Sequence, residues 1–155
     1  MSHRFLMACS ACVGLLISLG LPLPALAVGS GSIPTPVAPR SAEAEYNKGL
    51  EAKSAKRFPE AIASFRRAVG IRADFPEAWN ELGFALRQTG QFPEALKAYD
   101  QALRLRPNYP EALEYLGEAY VKLGRLEDAR AILVRLSSLD PARARELQEA
   151  IQTAK

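Results

Sequence analysis

The chain has 155 residues, 48% of them hydrophobic and 24% charged, with a formal net charge of +3. That balance excludes a disordered chain, and the small positive excess falls well short of the dense basic surface that nucleic acid requires. The length allows one ordinary domain with a short appendage.

The first 27 residues read as a targeting segment rather than as part of a fold. Arg4 supplies a short basic start, and from Phe5 to Leu21 the chain is uncharged and rich in Leu, Ala, Ile and Val. Two prolines follow, then Ala25-Leu26-Ala27, the small-x-small pattern of a signal-peptidase site. The reading is a signal peptide over 1–27, with retention of 5–21 as an inner-membrane anchor the other possibility, since such a run is at the short end for spanning a bilayer. A lipoprotein signal fits less well, because Cys9 would follow almost no apolar stretch. Cys9, Cys12 and His3, the chain's only cysteines and histidine, all lie in this segment. A mature chain starting at Val28 would therefore lack a disulfide, a thiol nucleophile, a Ser-His-Asp triad and any His or Cys metal site.

Residues 28–41, VGSGSIPTPVAPRS, have no periodicity and carry prolines at 34, 36 and 39. They read as a disordered Pro/Gly/Ser linker. From Ala42 the chain repeats with a period of 34 residues: Glu43, Glu77 and Glu111; Gly49, Gly83 and Gly117; Ala61, Ala95 and Ala129. The blocks are 42–75, 76–109 and 110–143, with no insertion between them.

Each block predicts two amphipathic helices. In the second block Trp79, Leu82 and Leu86, then Leu96, Tyr99 and Leu103, recur at helical spacing. The spacing predicts helices at about 42–55, 59–72, 76–89, 93–106, 110–123 and 127–138, and no strand. Gly90 and Gly124 suit left-handed helix stops, and Pro59 and Pro93 suit first turns where a missing N–H costs nothing. Asp74 and Asn108 are placed to cap the helices that follow them. Gly83 with Ala95, and Gly117 with Ala129, predict close approach of the two backbones in a pair. After Asp140, an expected N-cap, Ala144, Leu147 and Ile151 lie on one face and predict a capping helix over 141–155.

The residues Trp79, Leu82, Gly83, Ala95, Tyr99, Ala102 and Pro107 resemble the signature of the tetratricopeptide repeat family. The third block keeps Leu116, Gly117, Tyr120, Ala129 and Pro141, with Leu113 and Leu133 in the two large-residue places. The first is weaker, with Glu45, Lys48 and Ala73 where Trp, Leu and Pro are usual. The resemblance covers 42–141 and implies an all-α, right-handed α-solenoid whose first helices line a concave groove.

By that resemblance the groove would present Tyr46, Asn47, Leu50 and Lys53; Asn80, Glu81, Phe84 and Arg87; and Glu114, Tyr115, Glu118 and Lys122. Glu114 and Glu118 share a helix face, and with Glu81 they suggest an acidic patch flanked by exposed Phe84 and Tyr115. The plainer explanation is a solvated face, with Glu43, Glu77, Glu111, Lys53, Arg87 and Lys122 merely complementing helix dipoles. Relatives that hold chaperone tails clamp a carboxylate with Lys, Asn and Arg. The corresponding places here carry Tyr46, Leu50, Glu81, Glu111 and Tyr115, which disfavours that role. The second helices carry Arg66, Arg67, Arg72, Lys97, Arg104, Arg106, Arg130 and Arg135, which read as a solubilising convex face.

The functional expectation is a periplasmic or secreted interaction module, a scaffold or adaptor whose partner is a protein or peptide of basic and apolar character. A self-associating architectural repeat protein is the other reading. No catalytic residue, metal ligand, cofactor or nucleic acid is expected, and membrane contact only if 5–21 is retained. Glu114 and Glu118 are the one pair that invites acid–base chemistry, but on a hydrated surface nothing separates their pKa values.

Overall fold

The computed structural model describes residues 41–154, and all regular structure among them is helical. The helices are α1 (Ala42–Ser54), α2 (Phe58–Ile71), α3 (Pro76–Gln88), α4 (Phe92–Leu105), α5 (Pro110–Lys122), α6 (Leu126–Leu139) and α7 (Pro141–Thr153). The expected leader and nearly all of the linker lie outside the described residues. Ser41 is the exception, its hydroxyl accepting the Ala44 N–H at 3.0 Å as the N-cap of α1. No helix among the described residues is long and apolar enough to cross a membrane.

The helices pack as successive antiparallel pairs, α1 with α2, α3 with α4 and α5 with α6, and each pair stacks on the next through α2–α3, α4–α5 and α6–α7. The first helices also touch directly, α1 to α3, α3 to α5 and α5 to α7, so they form one continuous face. Between the two layers lies a single core in which Phe65, Leu86, Tyr99, Leu113, Leu136 and Leu147 are fully buried. Alanines at 61, 95 and 129 are completely enclosed, which is why nothing larger is found there. A helix pair alone could not bury such an apolar stripe, so each depends on its neighbours.

Turn geometry follows the repeat. Gly90 and Gly124 adopt φ of +77° and +69°, the left-handed stops expected of them. The first repeat puts Lys56 at the same place, with φ 57°. The N-caps differ from expectation. Phe75 and Tyr109, not Asp74 and Asn108, occupy the cap positions of α3 and α5, and neither helix has a side-chain cap. Packing decides this: Phe75 is buried against Tyr46, with ring centroids 4.9 Å apart, and that contact fixes the chain entry. Asp140 caps as expected, accepting the Ala142 and Arg143 N–H groups at 3.0 and 3.1 Å.

The recurring glycines make room for a side chain from a neighbouring helix. A Cβ on Gly83 would lie 2.6 Å from Cε1 of Tyr99, and one on Gly49 would collide with the Phe65 ring. Each glycine therefore seats the aromatic ring of its own pair's second helix. In the third pair Leu133 stands in the aromatic place, and the hollow over Gly117 is filled instead by Leu147 of α7, whose Cδ2 would be 2.5 Å from an added Cβ. The capping helix thus completes the third pair from outside.

Candidate partner-binding face

The shared face of α1, α3 and α5 brings together most of the residues expected on a groove. Its floor is aromatic. The Phe84 ring lies 5.3 Å from Tyr115 and 6.3 Å from Phe58, and Tyr115 lies 6.3 Å from Tyr99 beneath it. Tyr46, Leu50, Phe58 and Tyr115 are part-buried and packed on the core, while Asn47 is exposed. Phe84 is also part-buried, so aromatic surface remains available from each repeat.

The cations at the C-terminal ends of these helices do more than complement dipoles. Lys53 Nζ reaches from α1 to Glu81 Oε2 of α3 at 2.6 Å and lies 5.1 Å from the centre of the Phe84 ring. Arg87 of α3 pairs with Glu118 of α5 at 3.0 Å, its guanidinium between Phe84 and Tyr115 at 5.4 and 5.5 Å. Each of these two cations reaches forward one repeat, and each is held against a ring, where a desolvated cation gains from the ring quadrupole. Lys122, next in the series, is exposed beside a space of about 480 Å³ walled by Arg87, Glu118, Val121 and Thr153.

These contacts correct the expected open acidic patch. Glu81 and Glu114 are 7% and 4% exposed, and Glu114 is paired with Arg143 of α7. Glu114 and Glu118 have separate cations, so their mutual repulsion is a minor effect. Burial pushes the Glu81 and Glu114 carboxyls above the usual glutamate value, with Lys53 and Arg143 acting against it. The acid–base pairing of Glu114 with Glu118 has no support in this geometry, because both are engaged in structural ion pairs.

At the opposite end of the face, near the helix N-termini, the recurring first-turn glutamates meet partners that the spacing did not single out. Glu43 pairs with Arg72 and Glu77 with Arg106, and these two arginines lie over the Phe75 and Tyr109 rings at 3.7 and 4.6 Å. Glu111, the third member of the row, has no ion-pair partner among the described residues; the Tyr109 hydroxyl is 3.5 Å from its Oε2. Burial first, with the charges of Glu81 and Glu111 acting in the same direction, pushes the Tyr46 and Tyr115 phenols up to about 12. Tyr109 is likewise raised by burial, then by Glu111 and Glu77. Three phenols, one from each repeat, therefore feel the charge of Glu111. Asn80 completes the face: it is fully buried, and neither amide atom has a hydrogen-bond partner. Among the described residues no cluster of His, Cys, Asp and Glu could hold a metal ion.

Three family models match the chain: a tetratricopeptide repeat over 46–100, a TPR repeat over 85–124 and a tetratricopeptide repeat over 111–143. No curated protein matches it. Among solved structures, the chain is similar to the TPR domain of Arabidopsis OM64, with TM-score 0.70, 18% identity and coverage of 74% of this chain and 97% of that one. It is also similar to the TPR2B domain of yeast Sti1 in complex with an Hsp70 peptide, at TM-score 0.69 and 20% identity, covering 73% and 94%. A third similar structure is the first TPR of Spaghetti (RPAP3) bound to the HSP90 peptide SRMEEVD, at TM-score 0.68 and 23% identity, covering 73% and 92%.

Proposed function

The chain carries tetratricopeptide repeats over residues 46–143, and from that premise we propose that it is an exported protein-binding module, a scaffold or adaptor in an envelope complex. The partner is a peptide or an extended segment of a protein, received on the face of α1, α3 and α5. Export rests on the uncharged run 5–21 and the Ala25-Leu26-Ala27 site. One observation carries the binding reading. Aromatic side chains from all three repeats stay part-exposed on one face, next to cations that are already fixed by ion pairs. Such a face is preorganised, so a partner meets little ordering cost on binding.

The partner suited to it is apolar with basic residues. The peptide bound in the Spaghetti structure, SRMEEVD, is acidic at its end. Here Glu81, Glu111 and Tyr115 stand where a carboxylate clamp would need donors, so a peptide of that kind would meet like charge. Self-association receives no support from the ends of the stack. Lys48, Glu51 and Arg67 are exposed at one end, and Arg145, Glu146, Gln148 and Glu149 at the other.

The test is capture of a partner from the native envelope with wild type, Phe84→Ala and a second-helix control, Lys97→Ala. The proposal expects loss with Phe84→Ala alone. If Lys97→Ala abolishes capture while Phe84→Ala leaves it intact, the face is wrongly assigned. Glu114→Lys is unsuitable for this purpose, since it would break a buried pair with α7 and confuse folding with binding.

A further inference from the structure

We infer that two copies of this chain pair side by side through their second helices, the Val134 side chain of each entering the cleft between α2 and α4 of the other. The inference does not depend on the partner-binding face, which is built from α1, α3 and α5 and stays open in such a pair.

The cleft follows from the stack. The first helices touch from repeat to repeat, whereas α2 and α4 are not packed on each other, and α3 lies beneath the gap. The result is a cleft of about 530 Å³ whose apolar wall is Val69, Trp79, Leu82, Leu86 and Ala98. Trp79 is part-exposed there, its indole N–H donating to the Ala73 carbonyl at 2.8 Å. The exposed side chains of Arg66, Glu94, Lys97, Asp100 and Arg104 stand around the opening. None of them has an ion pair among the described residues, and none of the cations stacks on the indole.

What fits the cleft is read from the repeat frame. The 34-residue step carries Lys97, Asp100 and Arg104 to Ala131, Val134 and Ser138 of α6, so the last second helix lacks the charges that α4 keeps on its outer face. All three residues are exposed, and Val134, at 74%, is the most exposed large apolar side chain among the described residues. A single exposed valine is ordinary by itself. Here it stands on an uncharged strip, in the same layer of helices as an apolar cleft ringed by unpaired charges.

A twofold axis crossing this layer makes the exchange reciprocal, each copy giving one valine and receiving one, and so closes the assembly at a dimer. The axis also sets α6 antiparallel to the α2 and α4 on which it lies. Charge favours that direction. Both α4, from Glu94 to Arg104, and α6, from Glu127 and Asp128 to Arg135, run from an acidic start to a basic end. Antiparallel docking therefore brings the acidic start of α6 toward Arg66 and Arg104, and Arg135 toward Glu94. Within one copy Glu127 and Asp128 are held by exposed pairs with Arg130 and Arg125, which are worth little and are readily exchanged.

The test follows the purified full chain by sedimentation velocity at rising concentration. The emission of Trp79, the chain's one tryptophan, is read on the same samples. A monomer–dimer equilibrium is expected, with the Trp79 emission moving to the blue in step with the dimer fraction as water leaves the cleft. Val134→Asp would put a charge in the apolar cleft and should weaken association by about tenfold or more, with loss of the blue shift. Val134→Leu keeps the apolar group and should retain both, and all three chains should melt alike because the residue is exposed. A chain that stays monomeric, or one that associates equally well with Val134→Asp, overturns the inference. So does a dimer with unchanged Trp79 emission, or growth that does not stop at two copies.

Discussion

Lys56 occupies backbone space that the two later repeats give to Gly90 and Gly124. A left-handed conformation costs an L-residue roughly 1–2 kcal/mol, while glycine brings a backbone-entropy cost of roughly 0.5–1 kcal/mol. Lys56→Gly should therefore raise stability by up to about 1 kcal/mol, read as a higher denaturant midpoint at unchanged slope. A lower midpoint would mean that the first turn is held by something other than this geometry. Glu81 gives a pH dependence at the same scale. Its folded pKa is raised, so the folded state binds the proton more tightly than the unfolded chain does. Its contribution to stability is thus greatest below the ordinary glutamate pKa and declines as pH rises through the folded value. Glu81→Gln should gain stability relative to wild type between pH 4.5 and pH 7, measured by denaturant melts at both; a constant or shrinking gap contradicts the assignment. The free carboxylate of Glu111 was legible in principle, because Asp140 breaks an arginine spacing that is visible in the text. Complementing the helix dipole is by itself sufficient reason for a glutamate in a first turn, so the spacing carries no further signal there.

At the scale of elements, periodicity placed every helix, and the starts of α2, α4 and α6 moved by only one residue. Capping was less legible. Asp74 and Asn108 have the better cap chemistry, yet Phe75 and Tyr109 take the positions because their rings are drawn into the core and under an arginine. A tertiary contact outweighs a cap of about 1 kcal/mol. The glycines show the same limit: their smallness is plain in the sequence, but the side chain each one admits is not. Gly83→Ala separates the two effects. Alanine gains about 1 kcal/mol of helix propensity, whereas forcing a methyl into the buried Tyr99 ring costs about 1–3 kcal/mol. A net loss is expected by thermal melting, and a net gain would show that the ring is free to move. Leu147 should matter as much as a residue inside the repeats. Leu147→Ala is expected to cost roughly 2–4 kcal/mol, more than Leu133→Ala, because Leu147 is fully buried over Gly117 and Leu133 is only partly so. No spacing argument could have paired Leu147 with Gly117, since Pro141 starts α7 out of the repeat frame.

At the scale of the molecule, stability is shared along a stack in which each pair supports the next. Ending the chain after Leu139 would uncover the hollow over Gly117 and unpair Glu114, whose cation comes from α7. Such a truncation should melt well below the full chain and with lower cooperativity, by circular dichroism; an unchanged melt would show that α7 is an ornament. The same stacking makes the first helices into one face, and the proposed function depends on that face alone. The most direct test is site-specific photocrosslinking in the native envelope, with the reactive residue placed either at Asn47 on the face or at Ala63 on a second helix. A discrete adduct from position 47, absent from position 63 and lost with Phe84→Ala, is what this account expects. Adducts from position 63 alone, or from 47 with no dependence on Phe84, would contradict it.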